Sequence, residues 1–274
     1  MKIKQIAILA LLMVVIVTAL GGCKSGNNDD RILVSGDADY DRIKDKGTLV
    51  VGVTDFAPMD YKEDGNWVGF DAELSEAFAK SLGVEVQFVE IDWDNKVSLL
   101  EEGYIDCIWN GMTKTDELKR SIDCSDAYLS NSQVIVLRKS DAKQYDTPEA
   151  CQHLLFSVEA GSAAESILKE KKYRYITCSS QKEAIKSVSD KKSDAAVIDI
   201  VMAAYYTDEG QQFDELELGA TVNDEALCIG LRKESSLTEK ANEFLKKAYS
   251  DGTINTLAEK YGIESAVINI GENH

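Results

Sequence analysis

The chain of 274 residues predicts an α/β fold made of two similar units. Three observations carry that prediction. Short continuous apolar runs, such as Thr48–Thr54 (TLVVGVT) and Ile105–Trp109, have the character of strands buried on both faces. Amphipathic segments of helical period lie between such runs, and this alternation implies a mostly parallel sheet. The alternation pauses after Trp109 and restarts at Leu154, which marks the second unit.

The elements follow in order. After Thr48–Thr54, Asp71 is placed to cap a helix with apolar positions Leu74, Phe78 and Leu82, and Gly83 ends it. Val84–Ile91 alternates as a strand, Val97–Glu102 is a short helix, and Ile105–Trp109 is the next buried strand. Val134–Leu137 reads as a strand crossing between the units. In the second unit Leu154–Val158 is a strand. Ser162 then opens a helix with Glu165 three residues on, the spacing of a capping box. Tyr173–Thr177 is a strand, Gln181–Ser189 a helix, and Ala195–Ile198 a strand. A late apolar strand, Ala226–Leu231, precedes helices around Ala241–Ala248 and Ile254–Tyr261.

Composition narrows the function. Hydrophobic residues make up 44%, enough for a packed core. A formal net charge of −18 repels phosphate backbones, so no nucleic-acid partner is expected. With only His153 and His274, a Ser-His-Asp site or a His-rich metal site is hard to build. No metal motif or cofactor is expected. Cys107, Cys124, Cys151, Cys178 and Cys228 form no C-x-x-C pair, and an odd number cannot all join. Most are expected to be small buried hydrophobes, with disulfide pairing left open.

The N-terminus carries its own message. Lys2 and Lys4, an apolar run from Ile6 to Leu20, and Leu20-Gly21-Gly22 precede Cys23, the order of a secretory signal. The run is short for a membrane span, which needs roughly 20 residues, although a transmembrane anchor is the alternative. The small residues before Cys23 resemble the lipobox of bacterial lipoproteins. That resemblance implies a signal over 1–22, cleavage before Cys23, and a diacylglycerol on its sulfur. The rest would then work outside the cytoplasm, held at the cell membrane. Polar residues 23–47 read as a lipidated tether.

Four further stretches resemble the bacterial amino-acid-binding proteins of ABC importers: TLVVGVTDFAPMDYKEDGNWVGFDAELSEAFA (48–79), DWDNKVSLLEEGYIDCIWNGMTKTDELKRSIDCSDAY (92–128), EAGSAAE (159–165) and SDAAVIDI (193–200). The similarity covers Thr48 to about Gly262. It implies a two-lobed type II periplasmic-binding (Venus flytrap) fold with mostly parallel sheets. Lobe 1 would be 48–131, lobe 2 132–225, and 226–274 a return to lobe 1. Two crossing segments would form a hinge, and closure would trap a ligand between the lobes.

The resemblance also implies a site. Phe56 and Trp93 would face the ligand with aromatic rings, with core packing as the alternative for each. Asn110, the Gly111 backbone and Thr113 would hold amino and carboxylate groups at a strand end, where open α/β sheets bind ligands. Ser162 and Ala163 would offer N–H groups at a helix start. Asp199 would grip an ammonium, or else merely cap the next helix. One position departs from the family pattern: Leu118 stands where Thr-x-x-Arg places an arginine for the ligand carboxylate. Arg120, about 200° round a helix, is a poor substitute. The expected ligand is therefore amino-acid-like, bearing an ammonium and either lacking a free α-carboxylate or meeting it with backbone N–H groups. The function implied is a monomeric, lipid-anchored solute-binding protein partnered by an ABC permease, and not an enzyme. The alternatives are a sensor with an atypical site and a cyclohexadienyl-dehydratase-like enzyme.

Overall fold

The computed structural model describes residues 35–269. Cys23 and the signal lie outside the described residues. In chain order the elements are α1 (Asp39–Lys46), β1 (Thr48–Val53), the hairpin β2 (Tyr61–Glu63) and β3 (Asn66–Val68), α2 (Phe70–Leu82), β4 (Glu85–Glu90), α3 (Lys96–Glu101), β5 (Cys107–Thr113), α4 (Leu118–Ser121) and β6 (Asp123–Cys124). Next come β7 (Leu129–Arg138), β8 (Leu155–Glu159), α5 (Ala163–Glu170), β9 (Arg174–Cys178), α6 (Gln181–Ser189), β10 (Ala195–Asp199), α7 (Ile200–Thr207), β11 (Leu216–Leu231), α8 (Leu237–Ser250) and α9 (Thr253–Tyr261).

The main sheet has the order β4-β1-β5-β11-β7-β10-β8-β9, with β6 pairing to β11. Its wings, β4-β1-β5 and β10-β8-β9, are parallel. Its centre is antiparallel: β11 pairs with β5 and β7, and β7 with β10. The expected strands over Val134–Leu137 and Ala226–Leu231 are thus the apolar parts of two much longer strands. The polar parts, including Asn131, Gln133, Asn223 and Glu225, were not legible as strand because polar residues interrupt the apolar run. Asn131 registers with Glu225, and Gln133 with Asn223.

Local rules explain the other boundaries. Gly83 ends α2 at φ 69°, a left-handed conformation that glycine adopts without a Cβ clash. Ser162 caps α5 by accepting from the Glu165 N–H at 3.1 Å. The reciprocal bond runs to the Gly161 N–H, 2.7 Å from Glu165 Oε2, one residue earlier than in a standard capping box. Of the cysteines, Cys107, Cys151 and Cys228 are buried, and all five described are free thiols.

Two expectations are corrected. Asp71 does not cap α2. Gly69 holds the cap position, and Asp71 is buried in the first turn, where its carboxylate accepts from the Gly111 N–H and the Tyr128 hydroxyl. The tether does not extend through residue 47 either. Gly36–Ala38 forms a 3-10 turn that leads into α1, whose Ile43 is buried in the core.

An ion-pair network holds that segment. Arg232, 1% exposed, donates Nε to both oxygens of Asp39 (2.9 and 3.1 Å). Its other nitrogens reach the carbonyls of Leu100 (2.8 Å) and Ile105 (2.6 Å) and Oδ1 of Asp106 (3.2 Å). Ser235 adds a bond to Asp39 at 2.7 Å. Arg42 also pairs with both carboxylates from the half-exposed side, so Arg232→Met takes away their buried partner but not their last cation, and chemical denaturation should register a loss of about 3 kcal/mol.

Candidate functional site

A cavity of about 850 Å³ opens at the carboxyl ends of β1, β5, β8 and β10. Phe56, Trp93, Asn110, Gly111, Thr113, Leu118, Ser162, Ala163 and Asp199 all line it. The chain places them together although they come from segments up to 143 residues apart in sequence. Their individual arrangements differ from what motif matching suggests.

Phe56 and Trp93 are each buried in a core cluster and each also lines the cavity. Gly111, at φ 55°, lies directly beneath the Phe56 ring, and a Cβ there would stand 2.2 Å from Phe56 Cε1. The face of Trp93 is covered by the chain's own Lys96, whose Nζ lies 4.7 Å from the ring centroid.

The polar groups of β5 are turned inward. Asn110 Oδ1 accepts from the Thr54 N–H (3.0 Å) and hydroxyl (2.6 Å), and Nδ2 donates to Asp60 (2.7 Å) and the Thr54 carbonyl (3.3 Å). That uses the side chain's hydrogen-bonding capacity, so the expected contact of Asn110 with a ligand is not available to its amide. The Gly111 N–H is likewise held by Asp71 at 2.6 Å. The Thr113 hydroxyl donates to Glu225 at 2.7 Å. Behind Asn110 and Gly111, burial raises Asp71 to about 7 against the pull of its hydrogen bonds. Burial, then the charge of Asp71, raises Asp60 well above the carboxylate range.

Asp199 ends β10 and occupies the cap position of α7, yet its side chain makes no capping bond. Its oxygens instead accept from the side-chain amides of Asn131, Gln133 and Gln181. No cation of the chain pairs with it among the described residues. Burial, then the charge of Glu225, raises its carboxyl to about 8. Glu159, which also lines the cavity, is raised to about 8 by burial and then by Asp199, with Lys96 opposing.

Sequence reasoning missed Lys96. Its ammonium is buried and lines the cavity, donating to the carbonyls of Gly161 (2.8 Å) and Trp93 (3.2 Å). An ammonium has three donors, so one remains for the cavity. Burial lowers its pKa, with Glu159 and Glu117 among the groups opposing that shift. Glu117 precedes Leu118, so Lys96 sets a cation near the position that lacks the arginine. No motif flags it, since a lysine at a helix start is ordinarily solvated. The polar alternation of Asn131 and Gln133 on one strand face is a signal that was readable. Leu118 itself is partly buried against the cluster of Ile122 and Met112, and Arg120 is exposed and off the cavity lining.

Residues 49–264 match the model of the bacterial extracellular solute-binding proteins, family 3. The chain belongs to that family. It is 30% identical over 260 residues to the arginine-binding extracellular protein ArtP of Bacillus subtilis, covering 93% of this chain and 96% of the relative. An ancestral amino-acid-binding protein described as a precursor of cyclohexadienyl dehydratase superposes with TM-score 0.76 and 33% identity, covering 81% and 98% of the two chains. A Streptococcus pneumoniae ABC uptake substrate-binding protein with bound histidine gives 0.78 and 28%, covering 86% and 100%. These neighbours are two-lobed amino-acid-binding proteins.

The raised carboxyls bind protons in the folded chain that they lose when unfolded at the same pH. Their effect is to make stability fall as pH rises from about 4 towards the shifted values near 7 to 8. Ligand-free protein should therefore melt at a higher temperature at pH 5 than at pH 8 by calorimetry, and Asp199→Asn should flatten that dependence.

Proposed function

We propose that this solute-binding protein captures an amino acid or a close relative bearing an ammonium group and delivers it to an ABC permease. The reading takes 48–131 and 226–274 as one lobe and 132–225 as the other, hinged at β7 and β11. It also takes Cys23 as the lipid anchor that keeps the protein at the outer face of the membrane. The supporting observation is Asp199, buried and held by three amide donors but with no cation opposite. Such a carboxylate is a receptor for an ammonium.

The carboxylate end of the ligand is assigned to Lys96 together with the first-turn N–H groups of α5, whose dipole favours an anion. This replaces the view that no side-chain cation serves that end. Named ligands of similar proteins, arginine and histidine, are α-amino acids, and the acidic lining with Glu159, Glu225 and Asp94 favours one with a positive or neutral side chain.

A thermal-shift screen of amino acids and their decarboxylated amines tests this, since a ligand that binds the folded form raises its melting temperature. At least one α-amino acid should bind, and Asp199→Asn should remove the shift. Lys96→Met should weaken the amino acid by about 2–5 kcal/mol, roughly 30- to several-thousand-fold, and spare the matching amine. Equal losses for both ligands would remove Lys96 from the carboxylate end.

Closure has its own probe. Gly161 of lobe 2 lies against Asp94 of lobe 1, where an added Cβ would stand 2.8 Å from the Asp94 Cα. Gly161→Ala should leave a folded protein that binds weakly and shows a smaller ligand-induced compaction by small-angle scattering.

A further inference from the structure

The hinge strands hold a cluster with too few donors. Asn131 Nδ2 donates to both Asp199 Oδ1 and Glu225 Oε1, the latter at 2.7 Å. Gln133 Nε2 donates to the same two oxygens, at 3.0 and 2.7 Å. Two carboxylates therefore share one pair of amide donors. The Thr113 hydroxyl adds a third bond to Glu225 Oε1. What is left over is all acceptor: Asn131 Oδ1, Gln133 Oε1 and Glu225 Oε2 are buried without a partner. Asn131 is 4% exposed and Gln133 1%. Buried polar atoms are normally satisfied, and a single proton on one carboxyl satisfies only one of these acceptors. A cationic nitrogen with several N–H donors satisfies more.

We propose that Asp199 and Glu225, bridged by Asn131 and Gln133, form one two-carboxylate receptor for a protonated amine, guanidinium or amidinium group, and that this receptor holds a proton which the incoming cation displaces. The proposal rests on the functional reading above and deepens it, since it adds Glu225 and Gln133, which line the cavity, to the recognition of the cation, with Asn131 bridging the two carboxylates behind them, and couples capture to pH. The step is a proton exchange. The shared carboxyl O–H breaks, the proton leaves to solvent, and N–H bonds of the cation take its place; no electrons move.

A buried carboxyl beside a second carboxylate resists ionisation. Burial and Glu225 hold Asp199 up at about 8, in keeping with a retained proton. The surrounding charges are few. Burial and then the charge of Asp199 raise Glu159 at the end of β8, and Lys96 from α3 opposes that rise. On β11, Asp224 accepts from Ser132 at 2.8 Å. Lys182 of α6 is spent on Asp55 at 3.3 Å, and Lys114 on the Ser125 carbonyl at 2.7 Å. The α7 segment Ile200–Thr207 contributes no acidic or basic residue.

The experiment is isothermal calorimetry at pH 6.5 and pH 9, in two buffers of different ionisation enthalpy. The probe is whichever member of the amino acid and amine panel gives the largest thermal shift. The expected result is release of about 0.5–1 proton per ligand at pH 6.5 and almost none at pH 9. Affinity should rise by up to about tenfold per pH unit below the shifted pKa and level off above it. Glu225→Gln should abolish both the proton release and the pH slope, whereas Glu243→Gln, on α8 and off the cavity lining, should keep them. Binding with no proton release, or release that survives Glu225→Gln and vanishes in Glu159→Gln, overturns this inference and leaves the functional reading intact. Stabilisation by sodium or calcium chloride equal to that by the organic probe overturns it as well. Absence of binding by every panel member at both pH values overturns the functional reading and this inference with it.

Discussion

The antiparallel pairing of β7 with β11 is the constraint on which the rest of the structure depends. Among the described residues it is the pairing that joins the two halves of the main sheet. Because the register sets Asn131 against Glu225, the middle of that seam is polar. The end of β10 runs alongside it and brings Asp199 to the same place. The wings then aim the carboxyl ends of β1, β5, β8 and β10 at one cavity. A slip of one residue in β7 would turn Asn131 and Gln133 to the opposite face and leave Asp199 without two of its three amide partners.

Around that seam the molecule separates acids by neighbourhood. Asp39 and Asp106 are answered by Arg232 and serve to hold the chain's entry onto the sheet. Asp60 and Asp71 are answered by Asn110, Gly111 and Tyr128, and brace the turn that carries Phe56. Asp199 and Glu225 are answered by side-chain amides and the Thr113 hydroxyl. The first place is answered by a cation, and the second and third are answered by neutral donors only. Of those two, it is the third that faces the cavity.

Family likeness and local physics agree on the place of the site but not on each role. A motif comparison points to Asn110, yet its amide is consumed by Thr54 and Asp60. The same comparison notes an absent arginine at Leu118, while the fold brings Lys96 into the cavity from another element. Charge requirements can be met from any segment that reaches the space, so loss of one motif residue does not define the chemistry of a site.

The family resemblance pointed to the segments that form the cavity, and the sequence alone determined the alternation of strands and helices, the Gly83 stop and the capping Ser162. These are local matters of periodicity, backbone freedom and hydrogen bonding over three or four residues. It did not determine the length of β7 and β11, the burial of α1, the inward turn of Asn110, or the meeting of Asp199 with Glu225 and of Lys96 with Gly161. Those depend on pairings across dozens of residues. A polar side chain reads as solvated until the fold shows which surface closes over it.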